Sequence, residues 1–299
     1  MTTTRTTDHY PTRHHVEAEA APTPRTHPTV WGTDADGPFD EAALDEHERH
    51  GFTILQDFIT PTEVETFTAE LNRLASDPTL RGDERVITEK TSGEVRSVFQ
   101  VEQLSEQIDA LTRDPRLLHR ARQLLGSDVY LHQTRVNYMP GFKGTGFYWH
   151  SDFETWHAED GLPAPRAVSC SIALTPNYPF NGGLMVMPGS HQTFVPGIGE
   201  TPDNNHAESL KEQTVGVPDE ESIADLAHRC GVDQFTGPAG SALWFDSNIM
   251  HASANNITPY PRSNIFLVFN SVANTPVEPY AARTPRPAHI AARDFTPLH

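Results

Sequence analysis

The chain has 299 residues, enough for one large domain with a sizeable core. Its formal net charge is −18, from 40 acidic and 22 basic residues, which argues against nucleic acid or an anionic membrane as the main partner. The first residues show no apolar signal-peptide core, no run reaches transmembrane length, and Cys170 and Cys230 stand far apart, so the expectation is a cytoplasmic protein with reduced thiols.

Residues 1–35 are rich in Thr, Pro, His and Ala and offer little to bury, which predicts a disordered tail with a solvated His14-His15 pair. The folded part, a single domain over 36–299, opens with a short helix in "GPFDEAALDEHERHG" and a strand at Phe52 to Phe58. Thr60 and Glu63 form a capping-box pattern with Pro61 at the first helical position. Val64, Phe67, Leu71 and Leu74 then follow at helical spacing. A second helix runs from Asp114-Pro115 through Leu117, Leu118, Ala121, Leu124 and Leu125 to Gly126.

From Val129 the texture changes to short β-rich runs between turn residues: "VYLHQTRVNY", "AVSCSIALT", "GLMVMPGSH", "SALWFDSNIMHAS" and "NIFLVFNSV". Many short strands without alternating helices predict a sandwich or jelly roll. With the helices on one face the class is α+β, mainly β. One connection, Gln192 to Phe235, is long and partly helical by the period of Ile223, Leu226, Ala227 and Cys230. It is a candidate lid.

The densest chemistry lies in "FYWHSDFETWH", Phe147 to His157. In a strand, period two points His150 and Asp152 the same way, about 7 Å apart at ~3.3 Å per residue, and a bend or loop start would bring them closer, so that both reach one ion. Glu154 would share that face as a rival carboxylate, and His157 would leave it. A third ligand must come from elsewhere, and His251 at the end of a β-like run offers one. Two His and one carboxylate on one face leave positions open, as a non-haem Fe(II) oxygenase needs. Arg262, eleven positions later at the start of the next strand, could grip the far carboxylate of a 2-oxoglutarate held at the metal. A zinc hydrolase uses similar ligands but leaves Arg262 without a task.

The blocks "HQTRVNYMPGF", "FYWHSDFETWHAEDGLP", "LTPNYPFNGGLMVMPGSH", "GETPDNNHAESLK" and "ITPYPRSNIFLVFNSV" closely resemble the ectoine hydroxylases, in the phytanoyl-CoA-dioxygenase-like branch of the Fe(II)/2-oxoglutarate oxygenases. The resemblance runs from about Phe39 to Pro297. Ala252 stands where glycine is expected after the distal His, and Met139 where a lysine is common. The resemblance implies a double-stranded β-helix (jelly roll, cupin-like) core and a cytoplasmic homodimer. It implies conversion of ectoine to 5-hydroxyectoine with 2-oxoglutarate and O₂ as cosubstrates. It places Fe(II) on His150, Asp152 and His251, and 2-oxoglutarate on Phe147, Asn137, Ser169, Ser253 and Arg262. Ectoine falls on Gln133, Trp156, Phe245, Asn264 and Phe266, with the three aromatics as a wall for its amidinium. Glu154 and His157 are left with structural roles. Another small zwitterion such as proline on the same iron site is the nearest alternative substrate, and a non-catalytic jelly-roll binding protein is the alternative class.

Overall fold

A computed structural model describes residues 7–14, 21–89, 92–210 and 215–299. In chain order, β1 (Thr23–Pro24) precedes α1 (Glu41–His50), which Asp40 caps and Gly51 ends in the left-handed region at φ 78°. β2 (Phe52–Leu55) leads into α2 (Pro61–Ser76). Its capping box is formed as the sequence predicts: the Glu63 amide donates to the Thr60 hydroxyl at 3.2 Å, and the Thr60 amide to the Glu63 carboxylate at 2.7 Å. β3 (Val86–Thr88) and β4 (Val95–Phe99) come before α3 (Glu106–Thr112) and α4 (Pro115–Leu125). Next are β5 (Val129–Met139), β6 (Phe147–His150) and α5 (Asp152–Thr155), which runs into a π-helical turn at Trp156–Asp160. β7 (Ala167–Ala173), β8 (Leu184–Val186), β9 (Thr193–Phe194), α6 (His206–Ser209) and α7 (Glu220–Cys230) follow. β10 (Asp233–Gln234), β11 (Ala242–Asp246), β12 (His251–Ser253) and β13 (Arg262–Ser271) complete the chain of strands.

Seven strands form an antiparallel sheet in the order β2-β11-β7-β13-β5-β4-β3, and four form a second in the order β10-β8-β12-β6. The sheets remain separate and do not close into one hydrogen-bonded barrel. Period two divides the large sheet. Val168, Cys170 and Ile172 of β7 join the core formed with Leu71 of α2 and Leu117 and Leu124 of α4. Ala173 of β7, with Phe245 and Phe266, packs against Leu184 and Val186 of the small sheet. The result is a mainly-β α+β fold with helices on one face and the second sheet on the other. The apolar run expected as one strand in "SALWFDSNIMHAS" breaks into β11 and β12, which belong to different sheets. Both cysteines are free thiols. Among the described residues no helix is long and apolar enough to cross a membrane.

The expected disordered tail is corrected wherever residues 7–14 and 21–35 are described. Tyr10 is fully buried, Arg13 nearly so, and β1 pairs antiparallel with β9. Average composition hides such anchors, because their pockets are built by residues more than 140 positions away. Residues 1–6 and 15–20, including His15 of the expected solvated pair, lie outside the described residues.

His47 on α1 is buried against Thr53, 2.9 Å from Nδ1 to Oγ1. Burial first, then His191 and Arg25, pushes its pKa from 6.5 to about 3. A folded pKa below the unfolded value means that this stability is whole above pH 6.5 and is lost as the pH falls toward 3. Urea midpoints are expected to drop through that window, and His47→Gln to flatten the drop. Equal slopes for the two proteins would count against His47 as the sensitive group.

Candidate active site

β6 and β12 lie side by side in the small sheet with His150 and His251 as register partners, so both imidazoles leave one sheet face together. The strand stops at His150. Ser151 caps the next turn by accepting from the Glu154 amide at 3.2 Å, and Asp152 is the first helical residue. This bend is one of the two courses the sequence leaves open after His150, and it takes Glu154 off the face that a longer strand would have given it. The turn brings the Asp152 carboxylate back toward the histidines. Nε2 of His150 and Nε2 of His251 each lie 4.0 Å from an Asp152 oxygen, the rings are 4.3 Å apart, and all three ligand atoms fall within 4.8 Å of one another.

The tautomers follow from the neighbours. Nδ1 of His150 is 2.8 Å from the Tyr148 carbonyl, and Nδ1 of His251 is 3.1 Å from the Ile249 carbonyl. A carbonyl only accepts, so each Nδ1 carries the hydrogen and each Nε2 presents its lone pair to the shared space. Burial, and then the neighbouring His251, lowers the pKa of His150 to about 3, which keeps it in the neutral, ligating form at neutral pH. Two neutral imidazoles and one carboxylate on one side of a space form a donor set that fits Fe(II).

Glu154 and His157 point elsewhere. Glu154 is held by the Arg13 guanidinium at 2.7 and 3.0 Å. His157 bonds to the Leu162 carbonyl at 2.7 Å and to Asp8 at 3.0 Å, and stacks on Tyr280 at 3.9 Å. Both are structural, as expected.

One cavity opens onto the three ligands. Of the residues expected to hold 2-oxoglutarate, Asn137, Phe147, Ser253 and Arg262 line it, and of those expected to hold ectoine, Gln133, Trp156 and Phe266 do. Ser169, Phe245 and Asn264 do not, though Ser169 shares the inner face of its strand. Phe245 is fully buried behind His251, 5.3 Å between ring centroids, and belongs to the inter-sheet core. The Asn264 amide is used internally: it donates to Ser171 at 2.6 Å and accepts from Arg262 at 3.2 Å. These three were expected at the ligands from the resemblance, and alternation, which adds a face for Asn264, assigns no depth.

Arg262 is the electrostatic centre of the far end. Its side chain is buried, Nε has no hydrogen-bond partner, and its other contacts are Asn264 and the Met139 sulfur at 3.7 Å. No described carboxylate pairs with it. Burial, and then Arg96, presses its pKa down to about 10, the sign of a cation lacking its anion. A dicarboxylate anchored at the metal is the partner such a guanidinium fits. Arg135 lines the cavity on the β5 face it shares with Gln133 and Asn137, where period two puts three polar side chains in a row that only a wet cavity explains. It lies over the Phe266 ring at 4.7 Å and likewise lacks a described carboxylate partner. Sequence reasoning missed Arg286 and Glu159, which also line the cavity. Nothing local announces Arg286 or Glu159. The first is paired to Asp160 at 2.9 and 2.5 Å, and the second sits in the π-helical turn.

Residues 47–264 match the family profile of Phytanoyl-CoA dioxygenase (PhyH). An ectoine dioxygenase of Nocardia farcinica (strain IFM 10152) is 64% identical over 292 residues, covering 97% of this chain and 95% of its own. That of Halomonas elongata is 50% identical over 284 residues, covering 95% and 86%. The crystal structure of EctD from S. alaskensis with 2-oxoglutarate and 5-hydroxyectoine aligns with a TM-score of 0.87 at 41% identity, covering 98% of this chain and 97% of that one. The same protein with bound Fe gives 0.85 at 41%, with the same coverage.

Proposed function

We infer the reaction from one premise: the chain belongs to the phytanoyl-CoA dioxygenase (PhyH) family. It is an Fe(II)- and 2-oxoglutarate-dependent dioxygenase that hydroxylates ectoine to 5-hydroxyectoine, with O₂ and 2-oxoglutarate giving succinate and CO₂. The observation that carries this is the pairing, in one cavity, of the His150/Asp152/His251 donor set with the Arg262 guanidinium, which pairs with no described carboxylate.

His150, Asp152 and His251 would hold the metal, which when bound activates O₂ for attack on a C–H bond. The residues around it bind and orient. Arg262 takes the far carboxylate of 2-oxoglutarate, with Asn137, Phe147 and Ser253 beside it. Arg135 is the second guanidinium free to meet a carboxylate, and ectoine carries one. The ectoine amidinium faces Trp156, while Phe266 has its ring already covered by Arg135. Gln133 is aimed by its own bonds: it donates to the Ile290 carbonyl at 2.6 Å and accepts from Arg135 at 3.3 Å. No side chain is required to transfer a proton to the reacting carbon. The protein supplies ligation, orientation and exclusion of water. The Gln192–Phe235 connection acts in that exclusion, supported by Asn205, Ser209 and Leu210 on the cavity wall. Lower hydrogen exchange there on adding ligands would test it.

Incubation with Fe(II), 2-oxoglutarate, O₂ and ectoine, followed by mass analysis, tests the reaction directly. The expected result is one oxygen atom gained per ectoine, and succinate without such a product would overturn the substrate. Trp156→Leu is expected to cost about 0.5–2 kcal/mol of cation–π contact, roughly 2- to 30-fold in kcat/KM for ectoine. The affinity for 2-oxoglutarate should stay unchanged, and an unaltered ectoine kcat/KM would remove Trp156 from the substrate wall.

The working form in this proposal is a cytoplasmic homodimer. Supporting the second copy is an exposed apolar cluster of Phe142, Ile257, Tyr178, Phe180 and Tyr260, the last three in ring contact at 5.1 to 5.9 Å. Light scattering should return twice the mass of one chain.

A further inference from the structure

We propose that residues 8–13 form a positioning strap for the reaction, acting through Arg13 on the turn that carries Asp152. The inference rests on the iron site proposed above. The segment 152–160 supplies a metal ligand, Asp152, and two cavity residues, Trp156 and Glu159. It also buries Glu154 and Asp160, and it ends in a π-helical turn, a rare backbone form. The strap grips it from behind at four points, one of them the Thr12 hydroxyl, which donates to Glu154 at 2.5 Å. The Tyr10 ring packs edge-on against Phe153 at 5.1 Å, Asp8 bonds to His157 at 3.0 Å, and Arg13 takes the carboxylates.

Arg13 is a two-carboxylate clamp. It donates to Glu154 at 2.7 and 3.0 Å in a fork and lies 3.2 Å from Glu159. The side chains of all three are at most 3% exposed. Asp160 is neutralised separately by Arg286, so Arg13 is the cation that lets Glu154 and Glu159 stay buried together. Without it, their repulsion would be relieved by movement of the turn or entry of water. Glu154 is two residues from Asp152, and Glu159 is itself in the cavity wall.

The pocket for this guanidinium is built. Gly216, at φ 72°, leaves it room, since a Cβ there would come 2.1 Å from the Arg13 Cζ. A Cβ on Gly197 would come 2.7 Å from the Glu154 carboxylate. The same strap bonds along the long connection. The Arg13 amide donates to the Gly197 carbonyl at 2.9 Å, the Gly197 amide to the Thr12 hydroxyl at 2.9 Å, and Arg13 to Thr201 at 3.2 Å. Asn205, a few residues on, donates to Glu159 at 2.8 Å from the cavity side. One cation thus ties the metal-bearing turn, the cavity wall and the connection together. Arg13 touches neither the ligand atoms nor the cavity, so it is a positioning residue.

The test uses the full chain and its Arg13→Ala and Arg13→Lys variants. Each is titrated with Co(II), followed by visible absorption, and assayed for 5-hydroxyectoine formed per succinate. The parent controls the premise: a parent that binds no Co(II) and forms no product would bring down the iron reading itself. Given a competent parent, Arg13→Ala is expected to keep the far-ultraviolet circular dichroism. It should bind Co(II) about 10- to 100-fold more weakly and yield less product per succinate. Arg13→Lys keeps the charge but loses the fork, and should fall between the two. A folded Arg13→Ala within about twofold of the parent in both readouts would overturn the proposal. If Arg13→Ala does not fold, Arg13→Lys decides in the same way.

Discussion

Asp152→Ala is expected to abolish both products, succinate and 5-hydroxyectoine, by at least roughly 10³-fold, about 4 kcal/mol at 1.36 kcal/mol per decade. The loss should come without unfolding. The Asp152 carboxylate makes no hydrogen bond to another described residue, and the two imidazoles lie 4.0 Å from its oxygens. Its carboxylate therefore contributes little to the apo fold and is needed for the metal, whose charge it offsets while fixing the third ligand position. Circular dichroism and the urea midpoint should match the parent, while Co(II) or Fe(II) titration should show weakened binding. Substantial succinate formation by the variant would mean that the metal sits elsewhere.

Arg262→Met should separate stability from function in the opposite sense. In the parent, a buried guanidinium waits without an anion, held by one bond to Asn264 and a contact with the Met139 sulfur. Burying an unpaired ion costs several kcal/mol, more than the ~1–3 kcal/mol of stranding the Asn264 oxygen, so the ligand-free variant should be at least as stable as the parent. The cosubstrate pays the difference. Losing its charged partner is expected to cost about 2–5 kcal/mol, roughly 30- to several-thousand-fold in 2-oxoglutarate affinity. Thermal melts read both effects. Added 2-oxoglutarate should raise the parent's Tm and leave that of Arg262→Met nearly unmoved. An equal rise in both would remove Arg262 from the cosubstrate site.

Much of this was legible in the residues alone. The capping box of Thr60 and Glu63, the stop at Gly126 and the apolar face of α4 are local events, decided within a turn or two of helix. The alternation of Val168, Cys170 and Ile172 against Ser169 and Ser171 is equally local, and in the fold it turns the first three into the core shared with the helices. His150, Asp152, His251 and Arg262 could be named because metal and carboxylate chemistry restricts which residue types serve.

Other features depended on distant chain. That β6 ends at His150 follows from the Ser151 cap, which lies within "FYWHSDFETWH", and from burial of the following turn under Tyr10 and Arg13, which that stretch does not show. The tail looked unstructured because its few anchors are matched to pockets made far along the chain. Phe245, Ser169 and Asn264 were assigned to ligands by resemblance, Asn264 also by its face; packing puts Phe245 in the core and uses the Asn264 amide on Arg262 and Ser171.

Residue types set the class of chemistry: two imidazoles, a carboxylate and a distant arginine on β-rich segments, within a chain whose blocks match one family closely. Depth and distance came from the packed fold: which face residues reach the cavity, how closely Asp152 turns back to the histidines, and which buried charges lack a described partner. Side-chain type and period are properties of neighbours in sequence. Desolvation, ion pairing and cavity walls are set by residues that meet only when the two sheets, the helices and the strap close on one another.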